Sequence, residues 1–143
     1  MKRGRKAMNA RRSLTAGIAA LFASAGAVAL SSSPAQASSE CKPFSDARWD
    51  AAACIDHTGT NARAGGELIV HPSNCATFRV YLVAEGTAGD VVLRSTSALP
   101  CDYGYAFTEM TVSVPTRTKS RILAWDSSDN RILYLQTEAH NGV

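Results

Sequence analysis

Apolar and polar residues of this chain alternate with a period of two, in short runs separated by Gly, Asp, Asn and Ser. In residues 76–83, Phe78, Val80 and Leu82 fall on one face and Thr77, Arg79 and Tyr81 on the other, the pattern of a half-buried β-strand. Residues 91–95 are a second β-rich run. Between them, Glu85-Gly86-Thr87-Ala88-Gly89-Asp90 carries two glycines able to take the positive φ of a tight turn. The three segments predict an antiparallel hairpin with residues 85–90 at its tip. A phosphate cradle would need glycines leading from a strand into a helix, with Lys and Ser or Thr at set positions, and this loop lacks them.

The same period continues downstream. Residues 106–114 set Met110, Val112 and Val114 against Glu109, Thr111 and Ser113, and Pro115 ends the run. Residues 120–125 and 131–137, rich in Ile, Leu, Trp and Tyr, flank the turn formers Asp126-Ser127-Ser128-Asp129-Asn130 and predict a second hairpin. Upstream, residues 66–70 form a strand stopped by His71-Pro72, and residues 53–56 a shorter one. One stretch breaks the pattern. Ser45 as an N-cap, followed by Asp46, Arg48 and Ala51-Ala52-Ala53, predicts a short helix over residues 45–53. About seven strands joined by polar turns predict an all-β fold, an antiparallel immunoglobulin-like β-sandwich, with a small β-barrel as the alternative. Residues 139–143 are expected to be a loose tail.

The first 37 residues stand apart from this pattern. Lys2, Arg3, Arg5, Lys6, Arg11 and Arg12 precede an uncharged stretch from Ser13 to Leu30, and Ala35-Gln36-Ala37 offers small residues at −3 and −1 of a cleavage site. This order predicts a cleaved export signal over 1–37 and a single secreted domain over 38–143. The apolar stretch is short and no second one follows, so no stable membrane association is expected once the signal is removed. Arg11-Arg12 lacks the rest of a twin-arginine motif, which favours the general secretory route. Removal also reverses the charge. The whole chain has 15 Lys and Arg against 12 Asp and Glu, and six of the basic residues lie in the leader with none of the acidic ones, leaving nine against twelve, a net −3. Scattered arginines on a mildly acidic body give no footprint for a phosphate backbone, so nucleic acid is not an expected partner.

Four cysteines remain in the predicted domain, Cys41, Cys54, Cys75 and Cys101, an even number in a short exported chain. Their spacings of 13, 21 and 26 residues lack the close pairs of structural zinc sites. Sequence alone allows three pairings. The hairpin selects one, because Cys75 and Cys101 are equidistant from Ala88 and would face each other at its open end, leaving Cys41 for Cys54.

Candidate chemistry is sparse. Asp56-His57 is the most suggestive pair, but adjacent residues on a strand point to opposite faces, so the carboxylate cannot orient the imidazole as a triad requires. His71 sits in a turn and His140 in the tail. No Ser lies in a G-x-S-x-G or S-x-x-K setting. No catalytic residue, metal or cofactor is implied. Possible binding residues are the aromatics Trp49, Tyr103 and Tyr105, and Arg117 and Lys119 in the basic connection 116–121.

The leader, the alanine-rich composition and two disulfides in a small β domain resemble the small exported proteins of actinomycetes. Within that group, the amylase inhibitors present Trp-Arg-Tyr where this chain has Arg48-Trp49-Asp50, and the subtilisin inhibitors place Cys-Pro ahead of the reactive bond where this chain has Pro100-Cys101-Asp102. Neither inhibitory motif carries over. The expectation is a monomeric, non-enzymatic extracellular binding module for a protein or carbohydrate. The alternative is a hydrolase inhibitor acting through Arg117 or Lys119.

Overall fold

In the computed structural model, which describes residues 37–113 and 116–141, nine strands make two antiparallel sheets packed face to face. The predicted export signal lies outside the described residues except for Ala37, as do Val114 and Pro115. The first sheet has the order β1 (Ala37–Ser45), β2 (Asp50–Thr58), β3 (Asn61–Val70), β7 (Tyr105–Thr111). The second has β5 (Val91–Ser95), β4 (Thr77–Ala84), β8 (Thr118–Trp125), β9 (Arg131–Gln136), with the two-residue β6 (Leu99–Pro100) also paired to β4. The β-sandwich is therefore as expected. The strand count rises from about seven to nine through β1 and β6.

Period-two alternation builds the core. Phe78, Val80 and Leu82 of β4, with Ile122 and Ala124 of β8, meet Ala51, Ala53 and Ile55 of β2 and Ala62 and Ala64 of β3. The inner face of the first sheet is mostly small. Gly66 continues the series, and a Cβ there would come within 2.6 Å of Val80 Cγ2 and 2.8 Å of Ile122 Cγ1. Real Cβ atoms do not approach so closely, so glycine at this position lets branched side chains of the second sheet reach the β3 backbone.

The predicted helix over 45–53 does not form. Residues 50–58 are strand, with Ala51, Ala53, Ile55 and His57 buried in turn. Consecutive alanines carry no periodicity of their own, so the packing surface decides. Ahead of β2, Asp46 Oδ1 accepts hydrogen bonds from the backbone N–H of Arg48 (2.7 Å) and Trp49 (2.8 Å), an Asx turn that reverses the chain from β1. Ser45 ends β1 and caps nothing helical.

Both disulfides have the expected partners, Cys41–Cys54 and Cys75–Cys101. Cys41 and Cys54 face each other on adjacent strands and pin edge strand β1 to β2. Cys75 and Cys101 close the open end of the β4–β5–β6 hairpin. The register drifts on the way: Ala84 pairs with Val91, Leu82 with Arg94 and Phe78 with Leu99, so the return side gains a residue at each irregularity. The tip is a turn, as predicted, with the Gly89 N–H donating to the Gly86 carbonyl and Gly89 at φ +123°. Asp90 anchors it to β8 through Lys119 (3.1 Å) and Arg121 (3.3 Å).

Candidate functional site

The aromatic surface gathers along β7. In an antiparallel ladder, alternate residues direct both backbone groups to the same neighbour. The Leu68 N–H donates to the Gly104 carbonyl and the Val112 N–H to the Thr60 carbonyl, so the even-numbered residues of this stretch bond to β3. Tyr105, Phe107 and Glu109 accordingly turn their N–H and C=O groups to the other side. Because β7 ends the first sheet among the described residues, that side is its open edge. At Glu109 the edge is already occupied, since Arg94 Nη1 donates to its carbonyl at 3.1 Å. The open part is Tyr105 to Thr108.

A cavity of about 470 Å³ runs beside this edge. On the second sheet it is bordered by Ser95, Thr96 and Leu99, and along β7 by residues 105–108 with Tyr103. Its volume lies within the range of small-ligand clefts. The aromatics are exposed: Tyr103 by 68%, Tyr105 by 45% and Phe107 by 46%. Tyr103 is delivered by a single 3-10 turn, Cys101–Tyr103, which Gly104 ends at φ +81° as the chain enters β7. The buried Cys101 and the bond from His71 Nε2 to Asp102 Oδ1 (2.9 Å) hold that turn in place.

Local sequence explains the lie of the rings. Phe107 is in register with Gly65 on β3. With no side chain at Gly65, the Tyr105 ring lies across the strand, its hydroxyl 3.5 Å from where a Cβ would stand. Arg63 joins the two aromatics, donating from Nη2 to the Tyr105 hydroxyl (3.1 Å) with its guanidinium 3.8 Å from the Phe107 ring centroid. Such stacking on a planar cation restrains the orientation of the ring.

Of the sequence-predicted site residues, Tyr103 and Tyr105 come together here. Trp49 does not: it is 3% exposed and packed in the core, because the Asx turn at Asp46 folds its indole under the sheet. Lys119 and Arg117 are likewise not presented as a reactive loop. Lys119 bonds both carboxylate oxygens of Asp90 and lies 3.7 Å from Glu85. Arg117 pairs with Glu85 and donates to the Ala139 carbonyl. Phe107 is the residue that sequence reasoning missed. Its signal was Tyr105 and Phe107 two apart on the polar face of a strand.

A second cavity, about 410 Å³ and polar, lies farther along the first sheet, with Asp56, Asn61, Arg63 and Glu109 on its border. Asn61 donates to Glu109 there at 3.1 Å. Among the described residues no group of His, Cys, Asp and Glu could hold a metal ion, and no helix is long and apolar enough to cross a membrane. No family model, curated protein or solved structure matches the chain.

Proposed function

We propose that the chain yields an extracellular, non-catalytic binding module that takes an extended polypeptide segment along the open edge of β7. One observation carries the reading: the outward backbone groups of Tyr105 and Phe107 border the same groove as three exposed aromatic side chains. Strand addition needs both parts, since main-chain hydrogen bonds supply affinity and side-chain pockets supply selectivity. Aromatic faces alone would also suit a sugar ring. Alternating backbone donors and acceptors suit another backbone better. Two disulfides support action outside the cell, as does a basic N-terminal stretch followed by small residues at an expected cleavage site.

The test is selection from a phage-displayed peptide library on the oxidised domain, run beside depletion assays on insoluble cellulose, chitin and starch. The expected result is a family of peptides whose binding weakens at least tenfold in Tyr103→Ser and Phe107→Ser, with no retention on the polysaccharides. Retention on a polysaccharide that the same substitutions abolish would replace the peptide by a carbohydrate. Peptides that bind both variants as well as the parent would remove the groove from the function.

A further inference from the structure

The two ends of the domain meet at a pair of histidines. His57, on β2 and only 2% exposed, lies with Nε2 2.7 Å from Thr118 Oγ1. The Thr118 hydroxyl donates to the His140 carbonyl (3.4 Å), so it accepts from an Nε2–H of His57. The His140 ring stands 5.6 Å from that of His57, centroid to centroid. Its Nε2 is 2.8 Å from Ser38 Oγ on β1, and its Nδ1 is 3.9 Å from Glu40. Thr118 and His140 also exchange two backbone hydrogen bonds of 2.8 Å. Ala139 and His140 are therefore tied to the segment around Thr118 and to β1, where a loose tail over 139–143 is expected from composition; residues 142–143 lie outside the described residues.

We propose that His57 and His140 form an acid-released clasp holding the C-terminal segment around His140 and the start of β1 against the sandwich. Protonation of His57 would bury a charge and put it beside a second imidazole, at a cost that exceeds what the nearby His140 backbone returns. Burial and the nearby His140 both hold the His57 pKa below its ordinary value near 6.5. Two smaller influences oppose the shift without reversing it: a hydrogen bond with the His140 backbone and the charge of Asp56, whose side chain turns to the other face of β2. Glu40 on β1 lies 3.9 Å from His140, and Arg63 of β3 and Glu109 of β7 border the shared cavity. From β8 comes the neutral Thr118, with Lys119 drawn away to Asp90, and Glu138 in the C-terminal segment is exposed.

The sign follows from linkage. A histidine whose pKa is lowered on folding binds more protons when released, so the closed state is favoured above about pH 6.5 and weakens as pH falls below it, by up to tenfold per unit for one proton. Opening would widen the polar cavity, because Ser38, Ser39 and His57 line it.

Amide hydrogen exchange resolved by NMR tests the clasp, at constant salt from pH 7.5 to 4.5 with intrinsic rates divided out. Protection at the Thr118 and His140 amides is expected to fall several-fold per pH unit below about 6.5, while Ile122 at the centre of β8 keeps its protection. His140→Gln, which alters a partly exposed residue and leaves the core intact, should flatten that slope, and His57→Gln should abolish it. Protection independent of pH in the parent, or an unchanged slope in His140→Gln, would overturn the proposal.

Discussion

Replacing Gly66 by alanine adds one methyl group where Val80 and Ile122 of the second sheet press on the β3 backbone. Ordinarily a glycine-to-alanine change at a compatible backbone angle stabilises a protein by about 0.4–1 kcal/mol, through the unfolded chain. Gly66 is not among the positive-φ residues, so its backbone would accept alanine. The obstacle is space: the new Cβ would lie 2.6 Å from Val80 Cγ2 and 2.8 and 2.9 Å from two carbons of Ile122, all in the packed core. Overpacking of this kind costs about 1–3 kcal/mol, so the net expectation is a loss of about 1–2 kcal/mol. Gly65→Ala is the internal control. Its Cβ would meet the Tyr105 hydroxyl at an ordinary 3.5 Å, and stability should be unchanged or slightly raised. Urea unfolding followed by tryptophan fluorescence measures both, and with m near 2 kcal/mol/M the Gly66 variant should lose roughly 0.5–1 M in midpoint. Val80→Ala removes the closest contact, so in the double variant the Gly66 substitution should cost less than it does alone. A Gly66→Ala protein as stable as the parent, or less perturbed than Gly65→Ala, would refute the account of how the sheets pack.

Removing Cys41–Cys54 or Cys75–Cys101 by paired alanine substitution should cost about 3 and 3.5 kcal/mol respectively on chain entropy for separations of 13 and 26 residues, measured by thermal unfolding. Under limiting reductant Cys41–Cys54 should open first, because Cys41 is exposed whereas Cys101 is buried, and alkylation with mass mapping gives the order. Trp49→Ala should cost about 3–5 kcal/mol in urea unfolding and leave peptide binding intact, since the indole is core and not surface. Backbone N–H donors hold the Asp46 and Asp126 carboxyls below their ordinary value of 3.8, so each contributes stability above that pH that is lost as pH falls through the lower folded value. Melting temperatures between pH 2.5 and 4.5 should therefore depend less on pH in Asp46→Asn and Asp126→Asn than in the parent.

Strands whose burial alternates between large apolar and polar residues could be read directly. Phe78, Val80 and Leu82 place β4, and Asp126 to Asn130 mark the β8–β9 turn, where Asp126 Oδ1 accepts from the Ser128 and Asn130 amides. What could not be read has identifiable physical causes. The Ala51-Ala52-Ala53 run suits helix and strand alike, and pairing with β1 and β3 together with the packing of Ala51 and Ala53 in the core makes it a strand. β1 puts Cys41, Lys42, Pro43, Phe44 and Ser45 in solvent, so no hydrophobic face announces it. Its place comes from pairing with β2 and from one disulfide. For the site, Tyr103 and Tyr105 were visible as aromatics, but that β7 ends its sheet is a property of topology that neighbouring residues do not encode. The His57–Thr118–His140 cluster joins residues 61 and 22 apart in sequence, which no local pattern records.

Amide exchange at Tyr105 and Phe107 bears most directly on the proposal that the β7 edge binds a peptide. In the free domain these two amides should exchange quickly while Ala106 and Thr108, bonded to β3, exchange slowly. Saturation with a selected peptide should slow Tyr105 and Phe107 by at least tenfold. Slow exchange of both in the free domain, or no added protection in the complex, would contradict the account.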